Sequence, residues 1–190
     1  MPRDSQTRIL DVALEEFSEN GFAGARVERI ARVSKANKQL IYYYFTDKRG
    51  LYEAVCQRVF REIAEVGAAK SANLGDELVD WVDFHARRPY LIRLLEWEGK
   101  RRAGQRRKKD AQSRLLKEAL RRLKSIEKKG LWPKAVSAEQ ILIANLAIVT
   151  WPLLFPTLCA EITGLAADSP KFLEDRKAFV RAFGKAFRET

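Results

Sequence analysis

Ile30-Ala31-Arg32-Val33-Ser34-Lys35-Ala36-Asn37-Lys38-Gln39-Leu40-Ile41-Tyr42-Tyr43-Tyr44-Phe45-Thr46-Asp47-Lys48 is the stretch on which the fold turns. Val27, Ile30 and Ala31 fall at helical spacing and predict a short helix. Asn37 then caps another, with Leu40, Ile41 and Tyr44 as its inward positions. Two short helices joined by a tight turn make a helix-turn-helix. The second must offer a polar face to a DNA major groove while its other face packs on the two helices before it. Ala31 is small where the helices cross, and Ile30 and Ile41 fill the space between them. Lys38 and Gln39 fall in the first turn, where Lys can donate to guanine O6/N7 and Gln can bond adenine N6/N7. Tyr42, Tyr43 and Tyr44 bring hydroxyls and flat rings to the groove wall, and Phe45 is assigned to the core. Lys48, at the start of the next helix, is placed for a backbone phosphate.

Working outward, Ile9, Leu10, Ala13, Leu14 and Phe17 stripe an earlier helix, capped by Asp4/Ser5 and stopped at Asn20-Gly21. Downstream, Asp47 caps a helix striped by Leu51, Val55, Val59 and Ile63. Further helices are predicted near 75–87, 89–103, 106–129, 137–155 and 170–187, with Gly130 and Pro133 separating two of them. No run alternates apolar and polar residues convincingly enough for a strand. The fold class is all-α with about nine helices. A three-helix domain over residues 1–50 is followed by a helical domain over 51–190.

Composition narrows the function. The 190 residues carry a net charge of +11, which points to a polyanionic partner, nucleic acid ahead of anionic membrane. Fourteen Lys/Arg against three acidic residues between 99 and 129 match that whole excess. This stretch reads either as a solvated loop and helix face or, around 100–109, as an additional DNA contact. Cys56 and Cys159 lie far apart without CxxC spacing and His85 is alone, so neither a metal site nor a disulfide framework is expected, and no cofactor. No phosphate-cradling Gly loop or catalytic constellation is visible, so no catalytic residue is assigned and the chain does not read as an enzyme. Residues 141–160 lack charge and could span a bilayer by length, but Asn145, Thr150, Pro152, Pro156 and Thr157 lie within them. A helix buried in the core or in a subunit interface is expected instead, with no membrane partner. The polar N-terminus predicts no signal peptide, and the location is expected to be cytoplasmic.

The quoted stretch, continued through Arg49-Gly50-Leu51-Tyr52, resembles the signature of TetR-family transcriptional regulators. Arg8-Ile9-Leu10-Asp11-Val12-Ala13-Leu14-Glu15-Glu16-Phe17 with Asn20-Gly21-Phe22 resembles that family's first helix. The resemblance covers about residues 5–60. Three positions depart from it. Lys35 stands where a Gly usually occupies the inter-helix turn, Tyr44 where a His usually precedes Phe45, and Ala25-Arg26 where a Thr or Ser usually caps the second helix. Arg26 is assigned to phosphate contact instead. The resemblance implies backbone contacts for Asn37, Tyr42, Tyr44 and Lys48 as well.

It further implies a homodimer through helices near 137–158 and 170–187, the latter striped by Phe172, Leu173, Phe179, Val180, Phe183 and Phe187. The expected function is a ligand-responsive repressor that binds a pseudo-palindromic double-stranded DNA operator and is released by a small-molecule effector. Large or polar groups in otherwise apolar helices are the pocket candidates: Trp81, His85, Trp97, Glu98, Asn145, Trp151 and Phe155, with Phe84 beside them.

Overall fold

The computed structural model describes residues 2–68, 73–102, 111–129 and 135–186. The side chains of Glu98 and of the basic 100–109 run lie outside the described part, as does Phe187. Ten helices and no strand occur among the described residues: α1 Pro2–Gly24, α2 Val27–Val33, α3 Lys38–Phe45, α4 Lys48–Ala68, α5 Leu74–Ala86, α6 Pro89–Arg102, α7 Ala111–Lys128, α8 Ala138–Leu154, α9 Pro156–Thr163 and α10 Pro170–Ala186. They form two compact units, one of Met1–Glu62 with Tyr90–Arg107, the other of Ile63–Pro89 with Lys108–Thr190. The boundary expected after residue 50 therefore falls inside the first unit, which takes in most of α4 and nearly all of α6.

In the first unit the sequence stripes become the core. Ile9, Phe17, Ile30, Ile41 and Leu51 are fully buried, and Val55 and Val59 nearly so. Each such side chain contributes roughly 1.5–3 kcal/mol on burial. The helical path of α1 breaks at Gly21 (φ 64), as the Asn20-Gly21 pair predicts, and the Trp97 ring of α6 lies against that glycine. Leu91, Ile92 and Leu94 bury the inner face of α6. Phe17, Phe22 and Tyr52 form an aromatic cluster with centroids 4.9 and 5.2 Å from Tyr52.

In the second unit α5 and α10 approach so closely that a Cβ on Gly184 would lie 2.3 Å from the Gly75 nitrogen. Leu78, Val79, Val82, Val149 and Val180 form the core around this pair. Asp83–Lys177 at 2.7 Å and Asp76–Arg181 at 3.4 Å link the two helices further. Leu123 of α7 packs with Ala138 and Ile141 of α8, and Cys159, Ala167 and Phe172 make a smaller cluster.

One expectation needs correction. The 137–158 segment is not one helix: α8 and α9 are bent by 88° at Phe155. Pro156 forces Phe155 out of the helical region (φ −129, ψ 57) and has no N–H to continue the ladder. Among the described residues no single helix is long and apolar enough to cross a membrane. Of the uncharged segment the chain itself buries Ile141, Val149, Pro152 and Cys159, and leaves much of the remaining apolar surface open. Ile143, Leu146, Trp151, Leu154, Phe155, Leu158 and Ile162 are all exposed. The stripe of α10 is divided as well: Phe172 and Val180 serve the unit's own core, whereas Phe179 is half exposed.

Candidate nucleic-acid interface

The first unit supports α3 from below and leaves its other side open. Ile41 and Phe45 are buried on the inner face, at 0 % and 6 % exposure, while Tyr43 is 81 % exposed on the outer one. Lys38 and Gln39 are exposed, Tyr42 is 41 % exposed, and Tyr44 is half-buried. The Tyr43 and Tyr44 rings meet edge to face at 5.5 Å, which limits how far Tyr43 can swing. Asn37 caps the helix as the sequence predicts, its Oδ1 accepting from Leu40 N at 2.7 Å.

Lys38 does not stand free in the DNA-free protein. Its ammonium pairs with Glu28 on the exposed side of α2. The hydrogen bond between them holds the Glu28 carboxyl below its ordinary value and the Lys38 ammonium above its own. Any group that binds this lysine must therefore compete with Glu28. Lys48 is likewise occupied: its Nζ donates to Ala23 O at 3.3 Å and sits 5.1 Å over the Phe22 ring.

The turn between α2 and α3 takes the conformation that the missing glycine suggests. Lys35 has φ 53, in the left-handed region. Ser34, fully buried, ends α2, and its carbonyl accepts from Arg8 Nε of α1 at 2.7 Å. The missing Ser/Thr cap of α2 is replaced from another helix. Glu16 of α1, 4 % exposed, accepts from Arg26 N at 2.9 Å and pairs with Arg29 at 2.8 Å. Arg26 thus occupies the cap position with no side-chain cap bond, and its guanidinium projects from an exposed residue. Sequence reasoning missed both Glu16 and Arg8. Their only sequence signal is a charged group within the striped helix, and nothing local reveals the distant backbone atom each one serves.

At the far end of α3, Thr46 adopts φ 68 and ψ −54, with Asp47 N donating to Phe45 O at 2.7 Å. This is a γ-turn of the strained hand, on a β-branched residue. Asp47 then caps α4 by accepting from Gly50 N at 2.7 Å. Gly50 is required there because a Cβ would fall 2.0 Å from the Phe45 carbonyl oxygen. Recognition helix and following helix are joined with almost no slack.

The pocket candidates do not form one group. Trp81 and His85 stack on α5 at 5.9 Å, with Phe84 edge-on to both. Trp151 and Phe155 pair at 4.4 Å and are both exposed. Asn145 is half-buried on α8, and Trp97 belongs to the other compact unit. His85 is 5 % exposed with its Nδ1 unpartnered, and burial lowers its pKa to about 4, so the ring is neutral at pH 7.

Comparison with known proteins agrees with this geometry. Residues 9–55 match the family model described as bacterial regulatory proteins, tetR family. The chain is 29 % identical to the HTH-type transcriptional repressor SCO4008 of Streptomyces coelicolor over 170 residues, covering 86 % of this chain and 85 % of the relative. It is 32 % identical to the HTH-type transcriptional repressor NicS of Pseudomonas putida over 101 residues, 50 % of this chain and 48 % of NicS. Among solved structures, the transcriptional regulator SCO4942 from Streptomyces coelicolor superposes with a TM-score of 0.79 at 26 % identity, covering 96 % of this chain and 97 % of that one. These relatives are regulators rather than enzymes. Residues 9–55 of this all-helical chain thus carry the tetR-family regulatory domain, and along nearly its whole length the chain is similar in sequence and fold to bacterial transcriptional regulators.

Proposed function

We propose that the protein is a homodimeric, cytoplasmic repressor that binds a pseudo-palindromic operator and is released by a small-molecule effector. The observation that carries the DNA-reading face is the contrast along α3, Tyr43 exposed at 81 % beside Ile41 at 0 %. Lys38 and Gln39 read base edges, and Tyr43 lies along the groove wall. Asn37, Tyr42, Tyr44, Lys48 and Arg26 hold the phosphates. The names of SCO4008 and NicS, both repressors, support the sign of regulation.

The dimer reading rests on the apolar side chains that α8, α9 and α10 leave open, Ile143, Leu146, Trp151, Leu158, Ile162 and Phe179 among them. A second copy related by a two-fold axis would cover them with the same surface. Helix α4 is the lever, because it follows α3 directly and runs from the first compact unit into the second. An effector acts only as far as it binds the released state better than the DNA-bound one. Of the pocket candidates, Trp81 and His85, stacked on α5 of the second unit, are the pair offered for its contacts.

Footprinting upstream of the neighbouring gene supplies the operator for the test. Lys38→Ala and Tyr43→Ala should each abolish specific protection while leaving stability within about 1 kcal/mol of the parent, as exposed substitutions do. Protection of the same operator by either variant as well as by the parent would overturn the assignment of this face.

A further inference from the structure

Glu28 stands in the first turn of α2 and Lys38 opens α3, so the turn between these helices brings an acid and a base together across ten residues of sequence. Glu28 Oε1 accepts from the Lys38 ammonium, and the two side chains stay 66 % and 46 % exposed. The inward side of α2 is made by Val27, Ile30 and Ala31, so Glu28 belongs to the outer surface that α2 shares with the start of α3. Its neighbour Arg29 is already taken by Glu16 and Glu19 of α1. An ion pair this exposed adds little to stability. Its consequence comes when DNA meets the lysine.

Charge sets the condition. When Lys38 turns to a base or a phosphate, the Glu28 carboxylate is left as an anion beside a polyanion, which is unfavourable unless another donor replaces the ammonium. Phosphate oxygens only accept and cannot replace it. A base edge can: in the major groove, the cytosine N4 amine is the donor that a Glu accepts from, and guanine O6/N7 are the acceptors that a Lys seeks. A G·C pair presents these groups side by side, the two acceptors first and then the amine. An ammonium and a carboxylate already in contact match that order. An A·T pair splits its acceptors to either side of the adenine amine and matches it less well. We propose that Glu28 is a specificity-determining residue: with Lys38 it forms a two-residue reader of one G·C pair in each operator half-site, Lys38 donating to the guanine and Glu28 accepting from the cytosine amine. The inference rests on the reading face assigned to α3 above, and deepens it by naming a base pair and a second helix that takes part.

The test is a selection from randomised double-stranded DNA with the full-length parent and its Lys38→Ala, Glu28→Ala and Glu28→Gln variants, followed by affinity measurements on the parent's selected site. The parent should prefer G·C over the other pairs by about tenfold at one position of each half-site. Glu28→Ala should lose that preference there, keep the preferences elsewhere, and bind random DNA more tightly because an anion has been removed. Glu28→Gln should relax the same position toward A·T, since Gln bonds adenine N6/N7, and it keeps the proposal testable where alanine does not fold. N4-methylcytosine at that position keeps the base pair but blocks the groove-facing N–H, so it should weaken the parent about tenfold and leave Glu28→Ala unchanged. An unaltered base profile in both Glu28 variants overturns the proposal. So does an equal gain in affinity for every sequence, which would make Glu28 only a brake on phosphate binding. A parent that selects no sequence overturns the α3 reading and this proposal with it, whereas a parent whose site requires Lys38 and is indifferent to Glu28 overturns this proposal alone.

Discussion

Lys35 shows how a single residue can keep a turn that its chemistry disfavours. At φ 53 its Cβ is crowded, at roughly 1–2 kcal/mol for an L-residue in this region. Replacing it with Gly relieves that crowding but loosens the unfolded chain by about 0.4–1 kcal/mol. Lys35→Gly should therefore raise stability by about 0.5 kcal/mol, read from the urea midpoint at fixed protein concentration. A loss of stability would show that the lysine stem makes contacts worth more than the strain. His85 makes a larger and pH-dependent contribution. Its folded pKa of about 4 lies below the ordinary 6.5, so protons prefer the unfolded chain. The neutral ring's stabilisation is complete above pH 6.5, fades as pH falls from there toward 4, and then levels off. The full difference is about 3 kcal/mol at ~1.4 kcal/mol per unit. The gap in unfolding free energy between the parent and His85→Leu should shrink by that order across this interval. A gap that holds constant from pH 7 to pH 4 would mean that the ring is not desolvated.

At the scale of elements, the crossing of α5 and α10 depends on two positions without side chains. A Cβ at Gly184 would meet backbone, the Gly75 nitrogen at 2.3 Å, and no rotamer can relieve that. Gly184→Ala should push the helices apart around Val180 and Leu78 and cost about 3 kcal/mol or more, at the upper end for overpacking. A thermal scan checks this, and a midpoint within a degree or two of the parent's would place the crossing elsewhere. The sequence shows the apolar stripe of α10 but gives no warning of this contact, because a glycine in a helical pattern looks the same whether it faces solvent or another backbone. What it reads well is local. Asn37 and Asp47 as caps, Asn20-Gly21 as a stop, and the inward set Ile30, Ile41, Leu51, Val55 and Val59 all follow from spacing and side-chain chemistry. What it misses is service at a distance. Glu16 caps α2 from α1, Glu28 holds Lys38, and Arg176 of α10 donates to the Ile148 carbonyl that Pro152 leaves without a helical donor. The end of α8 at Phe155 is legible, since the predicted 137–155 helix stops there and Pro156 forbids a continuous ladder, whereas the turn into α9 is not.

For the whole molecule, recognition depends on symmetry. One short helix with Lys38 and Gln39 in its first turn offers few base contacts, and each good one is worth about 1–3 kcal/mol of discrimination. Two copies held at a fixed separation double this and add a requirement on spacing. Ile162, 71 % exposed on α9, is a clean probe of the surface we assign to that pairing. Ile162→Asp costs the isolated subunit little, because the side chain is already in water. It should shift the protein from dimer to monomer in light scattering and weaken operator binding at least tenfold. Lengthening the operator at its centre supplies the matching test on the DNA. Five added base pairs turn one half-site by about half a helical turn, so that it faces away from the second recognition helix, whereas about ten restore the face but add roughly 34–36 Å of distance. The parent dimer should lose the five-pair operator, and the Ile162→Asp monomer should bind both lengths alike. A parent indifferent to the insertion reads each half-site independently, and the surface around Ile162 would then have no part in recognition.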